Sequence, residues 1–216
     1  MNIIEKYDTQ FAYSSVILNL TLVVQAYLLW INPSMNDADK IYTIAILSSI
    51  EFFMIHSGVF MAVFPKKISL YIFFPLYGLF ALAVNSMADG NNILYLYLIV
   101  VFQRMRFAFS DVKIELKNKA VTFSIYAAII WLFVIALVLI NKDSLPILGL
   151  NEDYLLISGY REKKSIGDLT NEPHLAMAFA MIYYLWLAFT EFNLTKSLIK
   201  NPKRFNEDFM NKKKLK

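Results

Sequence analysis

Long apolar runs, separated by charged or turn-forming residues, are the feature that most restricts how this chain can fold. Six runs have the length, about 17 to 25 residues, that a helix needs to cross a bilayer. They cover residues 11–31, 41–65, 68–88, 93–109, 121–140 and 175–192. Hydrophobic residues make up 58% of the chain and charged residues 18%, a balance that does not fit a water-soluble fold. The sequence therefore predicts one all-α integral membrane helical bundle, residues 1–216, with about six transmembrane helices.

Two of these runs need a further argument. The uninterrupted apolar part of the fourth run stops at Phe102, and Gln103, Arg104 and Arg106 follow it. This run crosses a bilayer if its arginines extend along their aliphatic stems toward the interface. The first run has no basic segment ahead of it and no small-residue cleavage site. We therefore expect it to stay in the mature protein rather than act as a signal peptide.

Basic residues indicate the orientation, because Lys and Arg are retained on the cytoplasmic side of short loops. With the N-terminus inside, most of the 21 Lys and Arg residues fall in cytoplasmic segments. The sequence thus predicts that both termini are cytoplasmic, in the inner membrane of a bacterium. Residues 141–173 then form an extracytoplasmic loop, and residues 193–216 form a basic cytoplasmic tail drawn to anionic lipid headgroups. The basic residues on the outer side are Lys40, Lys142, Arg161, Lys163 and Lys164.

Composition and missing motifs exclude several functions. The net charge of +4 is explained by orientation in the membrane, so the expected partner is the lipid bilayer and no nucleic acid is indicated. The chain has no cysteine, which excludes disulfides, thiolate metal ligands, iron–sulfur clusters and a cysteine nucleophile. It also lacks a glycine-rich phosphate loop, an HExxH motif and repeated histidine boxes. No cofactor is therefore identified, and the balance is against an enzyme without excluding one.

Glu51 and His56, both within the second run, are the strongest site candidates. An ionisable residue inside the hydrocarbon layer costs several kcal/mol, so it usually faces the bundle interior and marks a function. Glu51 is expected roughly 15 Å deep and His56 roughly 22 Å deep in a layer about 30 Å thick. They lie about 140° apart around the helix, so they share a cavity only if this helix is wedged between neighbours. A metal ion held by both is one alternative; helix–helix hydrogen bonding is the other.

Arg104 and Glu191 are the remaining candidates for ligand or ion binding. Both approach the cytoplasmic boundary near the level of His56, so the three side chains can form one polar cluster. Alternatively, Arg104 and Glu191 are ordinary helix-end residues at the interface. His174 follows Asn171-Glu172-Pro173, a pattern that opens a helix at the outer surface, so we expect it to be exposed to water.

One short run carries a resemblance. The segment Glu51-Phe-Phe-Met-Ile-His-Ser-Gly-Val-Phe60 resembles part of an uncharacterised family of bacterial polytopic membrane proteins, in which Phe-Phe-x-x-His-x-Gly-x-Phe recurs within a span. Phe52, Phe53, His56, Gly58 and Phe60 carry the likeness, and Ser57 departs from it where an aromatic residue is expected. The family has no known activity, so the resemblance implies a role for His56 and nothing more.

Three functional hypotheses follow. In the first, which we favour, Glu51 and His56 line a polar site that binds or transports protons, a metal ion or a small solute. Six helices without an internal repeat are few for a transporter, so this hypothesis implies a homodimer. In the second, the protein is an intramembrane metal-dependent enzyme that uses His56 with Glu51 or Glu191. In the third, it is a non-catalytic scaffold that binds a partner through its outer loop or tail.

Overall fold

The computed structural model describes residues 3–86, 91, 94–95, 98–99, 103, 106, 112–165 and 167–200, with the backbone alone at 58, 61 and 62. Every regular element within these residues is helical. The helices are α1 (Ile3–Lys6), α2 (Asp8–Ile31), α3 (Ala38–Val63), α4 (Lys66–Ile68), α5 (Phe74–Asn85), α6 (Ile114–Ile140), α7 (Glu152–Ile157), α8 (Asp168–Asn171) and α9 (Pro173–Lys200). A π-helical segment, Ser69–Phe73, joins α4 to α5.

Within the described residues, four helical segments are long and apolar enough to cross a membrane: Asp8–Ile31, Lys66–Asn85, Ile114–Ile140 and Pro173–Lys200. Their outward faces are apolar as well, with large exposed side chains such as Ile17, Leu79, Phe133 and Phe189. Soluble proteins rarely expose apolar surface on this scale, because water penalises it. The predicted all-α class is therefore confirmed, and its helices have the dimensions of membrane spans.

The predicted runs can be placed on these helices. The first run lies on α2, the second overlaps α3, and the third overlaps the segment from α4 to α5. The fifth lies within α6 and the sixth within α9. Most of the fourth run, residues 93–109, falls outside the described residues, as does Arg104.

Two helices extend past the predicted apolar windows. Helix α6 begins at Ile114 rather than Val121, and α9 continues to Lys200 rather than ending at Phe192. Both extensions carry charged residues, where a hydropathy window stops. In the α6 extension Lys119 is paired with Asp8 and Glu191, whereas the α9 extension carries the exposed Lys196 and Lys200.

Helix α9 is the centre of the bundle. Of its most apolar window 61% is buried, against 22% for α2 and 28% for α6. It contacts α2 most extensively and also packs on α6 and α3. Buried alanines at 176, 180 and 188 allow the neighbouring helices to approach closely. The polar side chains of His174, Tyr183, Glu191 and Thr195 on α9 are therefore buried in the bundle.

The segment between α6 and α9, residues 141–172, folds over one end of the bundle, and we call it the cap. Trp30 at the end of α2 donates from Nε1 to the carbonyl of Pro146, 3.0 Å away. Tyr42 on α3 donates to the carbonyl of Lys164 at 2.7 Å. The start of α3 also forms a salt bridge to the cap, with 2.5 Å between the Lys163 Nζ and Asp39 Oδ1 atoms. We call this the cap end of the bundle and the opposite end the base.

The π-helical segment precedes Pro75 for a physical reason. Proline lacks an N–H and its ring clashes with the carbonyl four residues earlier, so a regular α-helix cannot pass through it without local rearrangement. One wider turn removes that clash. Ring pairs on either side, Phe60–Phe73 at 5.1 Å and Phe53–Phe80 at 5.8 Å, show that α3 and α5 run antiparallel.

Candidate functional site

Glu51 lies at the junction of α3 and α9, in the interior of the bundle. Only 1% of it is exposed. The hydroxyl of Tyr183, on α9, donates to Glu51 Oε1 at 3.1 Å. Tyr183 is itself fully buried and stacks on Phe179, with 5.2 Å between ring centroids. A carboxyl group is thus buried beside two aromatic rings, an environment in which an ionisable group is costly.

Ser48 lies one turn before Glu51 and on the same face of α3, because residues three apart are neighbours on a helix surface. Its backbone carbonyl accepts a hydrogen bond from Nε1 of Trp131, on α6, at 3.2 Å. Its side chain is fully buried, and its Oγ has no hydrogen-bond partner among the described residues. Ser48 and Glu51 therefore place two oxygen-bearing side chains where α3, α6 and α9 meet.

His56 belongs to a different environment. Its Nδ1 lies 2.8 Å from the carbonyl oxygen of Phe52, one turn earlier on α3. The imidazole packs edge-on against the Phe52 ring, with 5.0 Å between centroids, and it is only partly buried. No described contact joins His56 to Glu51. In the described part of the chain, no group of three or more His, Asp or Glu side chains is arranged to hold a metal ion.

A second polar centre lies at the base of the bundle, and we call it the charge network. It consists of Asp8 on α2, Arg106, Lys119 on α6 and Glu191 on α9. Arg106 Nη2 lies 2.6 Å from Asp8 Oδ1. Lys119 Nζ bridges the two carboxylates, at 3.3 Å from Asp8 Oδ2 and 3.1 Å from Glu191 Oε1. All four residues are more than nine-tenths buried, and their formal charges cancel.

The charge network has further support around Arg106. Its guanidinium also donates to the carbonyl of Gln103. It lies over the ring of Phe11, with 5.5 Å from Cζ to the ring centroid, a favourable cation–π arrangement. Gln103 in turn donates to the Ser14 hydroxyl at 3.2 Å. The network therefore ties α2 to a residue between α5 and α6, as well as to α6 and α9.

Glu191 was a candidate from sequence, and the structure places it in this network, bonded to Lys119. Sequence reasoning treated Arg106 as an arginine that extends toward the interface, counted Lys119 in a cytoplasmic segment ahead of the fifth run, and did not consider Asp8. A usable signal was present, because the buried residues of α6 include Leu116, Lys119 and Ala127 in helical spacing. A lysine on the buried stripe of a helix requires a buried anion.

His174 corrects a prediction. It is 9% exposed, so the expectation that water surrounds it is wrong. The cap folds over the start of α9 and covers the ring, which a linear pattern of helix-opening residues does not reveal. Nε2 of His174 lies 3.9 Å from Glu172 Oε2, within ion-pair distance if the imidazole is protonated.

The polar groups of α9 lie at separate levels of the bundle. Tyr183, with Glu51, lies eight residues from Glu191 in the charge network, which is about 12 Å along a helix. His174 lies nine residues from Tyr183 in the opposite direction, about 13 Å. Buried ionisable side chains are thus present near the cap, in the middle and near the base.

Together these features define an all-helical protein with helices of membrane-spanning length and ionisable residues buried among them. Comparison with protein-family models, with curated proteins and with solved structures finds no match. The resemblance of the segment around His56 to an uncharacterised membrane family therefore stays a prediction.

Proposed function

We propose that the chain is a six-span protein of a bacterial cytoplasmic membrane, with both termini inside, that binds and moves protons or a small solute through the site at Glu51. The bonds from Lys119 to Asp8 and Glu191 support the topology. They bring the starts of α2 and α6 and the final part of α9 to one end of the bundle. Helix α5 runs antiparallel to α3 toward the cap end, whereas α6 begins at the base, as a fourth crossing between them requires.

The observation that most directly supports this proposed function is the burial of the Glu51 carboxyl between α3 and α9. A serine or glutamine at this position would join the two helices at lower desolvation cost, so a carboxyl needs a reason to be there. Carboxyl groups exchange protons and offer a cation a full negative charge, which amides do not. The buried ionisable groups nearer to the cap and the base support a route across the bundle.

Reconstituted protein provides the test. Liposomes that contain a trapped pH-sensitive dye and the purified chain are subjected to a potassium diffusion potential, and the internal pH is followed. We expect proton movement above that of protein-free liposomes, and we expect Glu51→Gln to abolish it because the amide cannot exchange a proton. Glu162→Gln, which changes an exposed cap residue, is the matched control and should behave as wild type.

Two results would overturn this proposal. One is wild-type protein that moves protons no faster than the empty liposomes. The other is a folded Glu51→Gln variant that is as active as wild type. A variant that is altered only in thermal stability would instead favour the scaffold hypothesis, in which Glu51 joins two helices.

A further inference from the structure

We propose that a groove on the outer face of α2 binds one phospholipid that carries an ethanolamine headgroup. The groove has a volume of about 670 Å³ and runs along α2 to the start of α3, and we call it the α2 groove. Its apolar wall includes Ile17, Leu20, Val24 and Leu28, whose side chains are all exposed. Glu51 does not line this groove, so the lipid site and the proposed function are independent of each other.

The length of the α2 groove fits the acyl chains of one leaflet. From Ile17 to Leu28 the helix rises by about 17 Å. Half of a hydrocarbon layer about 30 Å thick is about 15 Å, which is the depth that the chains of one leaflet occupy. The groove begins near the middle of α2 (Asp8–Ile31) and covers the half nearer to the cap. A membrane-spanning helix of a second copy would need a matching face along the whole of α2, whereas a lipid needs only this half.

A pair of opposite charges lies at the cap end of the α2 groove. Lys40 Nζ is 2.7 Å from Asp37 Oδ1, and both residues line the groove. Asp37 Oδ2 accepts hydrogen bonds from the backbone N–H and the hydroxyl of Ser34, at 2.9 and 2.6 Å. The hydrogen bond from Lys40, followed by those from Ser34, lowers the pKa of Asp37 to about 2, so the carboxylate stays charged. The groove therefore has an apolar length and a charged end, as a phospholipid has.

The bonding capacity of this charge pair selects the headgroup. An ammonium has three donors and a carboxylate about four acceptor positions. In the described part of the chain, Lys40 donates to Asp37, and Asp37 accepts one bond from Lys40 and two from Ser34. Lys40 can therefore also bind a phosphate, and Asp37 can accept one further donor. An ethanolamine headgroup supplies both a phosphate and a primary ammonium, and its charges cancel. A choline headgroup has no N–H to donate, and an anionic headgroup would leave a net negative charge beside the pair.

Gln25 supports the same ligand from the wall of the α2 groove. Its side chain is half-buried and has no hydrogen bond within the residues that the structure describes. The hydroxyl of Thr21, which lines the same groove, instead donates to the carbonyl of Ile17 at 2.9 Å. An amide without a partner in an apolar setting costs free energy. The ester carbonyls of a glycerophospholipid accept hydrogen bonds, so a bound lipid can satisfy Gln25.

Equilibrium binding of radiolabelled phosphatidylethanolamine to the full chain in detergent micelles is the closing experiment. We expect saturable binding that unlabelled phosphatidylethanolamine displaces and that phosphatidylcholine or phosphatidylglycerol displaces poorly. Lys40→Met should weaken binding about tenfold, the equivalent of about 1.4 kcal/mol, because the phosphate loses a charge-assisted hydrogen bond. Lys142→Met, which removes an exposed lysine of the cap outside the α2 groove, is the matched control and should bind as wild type does.

A second pair of variants tests the wall of the groove and serves if Lys40→Met does not fold. Gln25→Leu should weaken lipid binding, whereas Thr21→Val should not, because that hydroxyl already bonds within its own helix. Wild-type protein without saturable binding overturns the inference, and so does binding that Lys40→Met or Gln25→Leu leaves unchanged. Equal displacement by phosphatidylcholine overturns the choice of headgroup. Disulfide-linked dimers of Val24→Cys, in a chain otherwise free of cysteine, would show a second copy in the groove and also overturn the inference.

Discussion

At the scale of single residues, Lys119 is a buried charge that pairs with two carboxylates. It is 3% exposed and bridges carboxylates from two other helices. An ion in such a setting is tolerated only while its counter-ions remain in place, because desolvation has already removed the stabilisation that water gives. Asp8 retains Arg106 when Lys119 is lost, whereas Glu191 loses the only ion-pair partner described for it.

Lys119→Met should therefore lower the free energy of unfolding by about 3 to 5 kcal/mol, the usual cost of leaving one member of a buried ion pair without its partner. Thermal or denaturant unfolding in detergent measures the effect. Glu191→Gln in the Lys119→Met background removes the stranded charge and should restore part of the loss. Lys142→Met, at an exposed position just beyond α6, should change little. If Lys119→Met were as stable as wild type, the network would contribute nothing to the fold.

Residue-level features of the site were only partly predictable. Glu51 could be singled out because a carboxyl within an apolar run is rare and costly. Its partner Tyr183 could not, because depth in the membrane limits which residues meet but leaves the rotation of each helix undetermined. The unsatisfied hydroxyl of Ser48 was equally invisible, since Ser49 beside it is the same residue type and bonds normally.

At the scale of elements, the cap is joined to the bundle by a close backbone approach at Gly149. The N–H of Gly149 donates to the carbonyl of Trp30 at 3.0 Å. A Cβ atom at this position would lie 2.3 Å from Pro33 Cδ and 2.8 Å from the carbonyl oxygen of Ile31. Neither atom belongs to a flexible side chain, so the connection cannot adjust without moving the backbone.

Gly149→Ala is therefore expected to destabilise the protein by about 1 to 3 kcal/mol, the usual cost of an overpacked contact. Limited proteolysis should cut the cap faster in this variant than in wild type, and the thermal unfolding midpoint should fall. Gly78→Ala is the matched control, because no atom lies within 4 Å of its added Cβ. Equal protease sensitivity in Gly149→Ala and wild type would mean that the cap is not held at this point.

The boundaries of the helices show what a hydropathy window does not predict. The apolar windows located α2, α3, α6 and α9 because burial and lipid contact both require apolar side chains. They began α6 too late and ended α9 too early, because a window treats every charge as solvated. Lys119, which lies ahead of the α6 window, is instead paired with Glu191, so α6 begins before it.

At the scale of the whole molecule, the two ends of the bundle differ in character. The base is joined by ion pairs between helices. The cap end is joined by hydrogen bonds from tyrosine and tryptophan side chains to loop carbonyls, together with the Lys163–Asp39 salt bridge. Aromatic residues are common at both membrane interfaces. The proposed topology places the base in the cytoplasm and the cap outside.

The absence of cysteine from the sequence makes this orientation directly measurable. Single cysteines introduced at Glu162, Lys66 and Lys200, which are all exposed, can be labelled without interference. In intact cells a membrane-impermeant maleimide should label Glu162→Cys in the cap and leave Lys66→Cys and Lys200→Cys unlabelled. Permeabilisation should then expose both. Labelling of Lys200→Cys but not Glu162→Cys in intact cells would show that the orientation is the reverse of the proposed one. On the proposed function, protons that enter from outside would then reach the site at Glu51 through the charge network rather than past the cap.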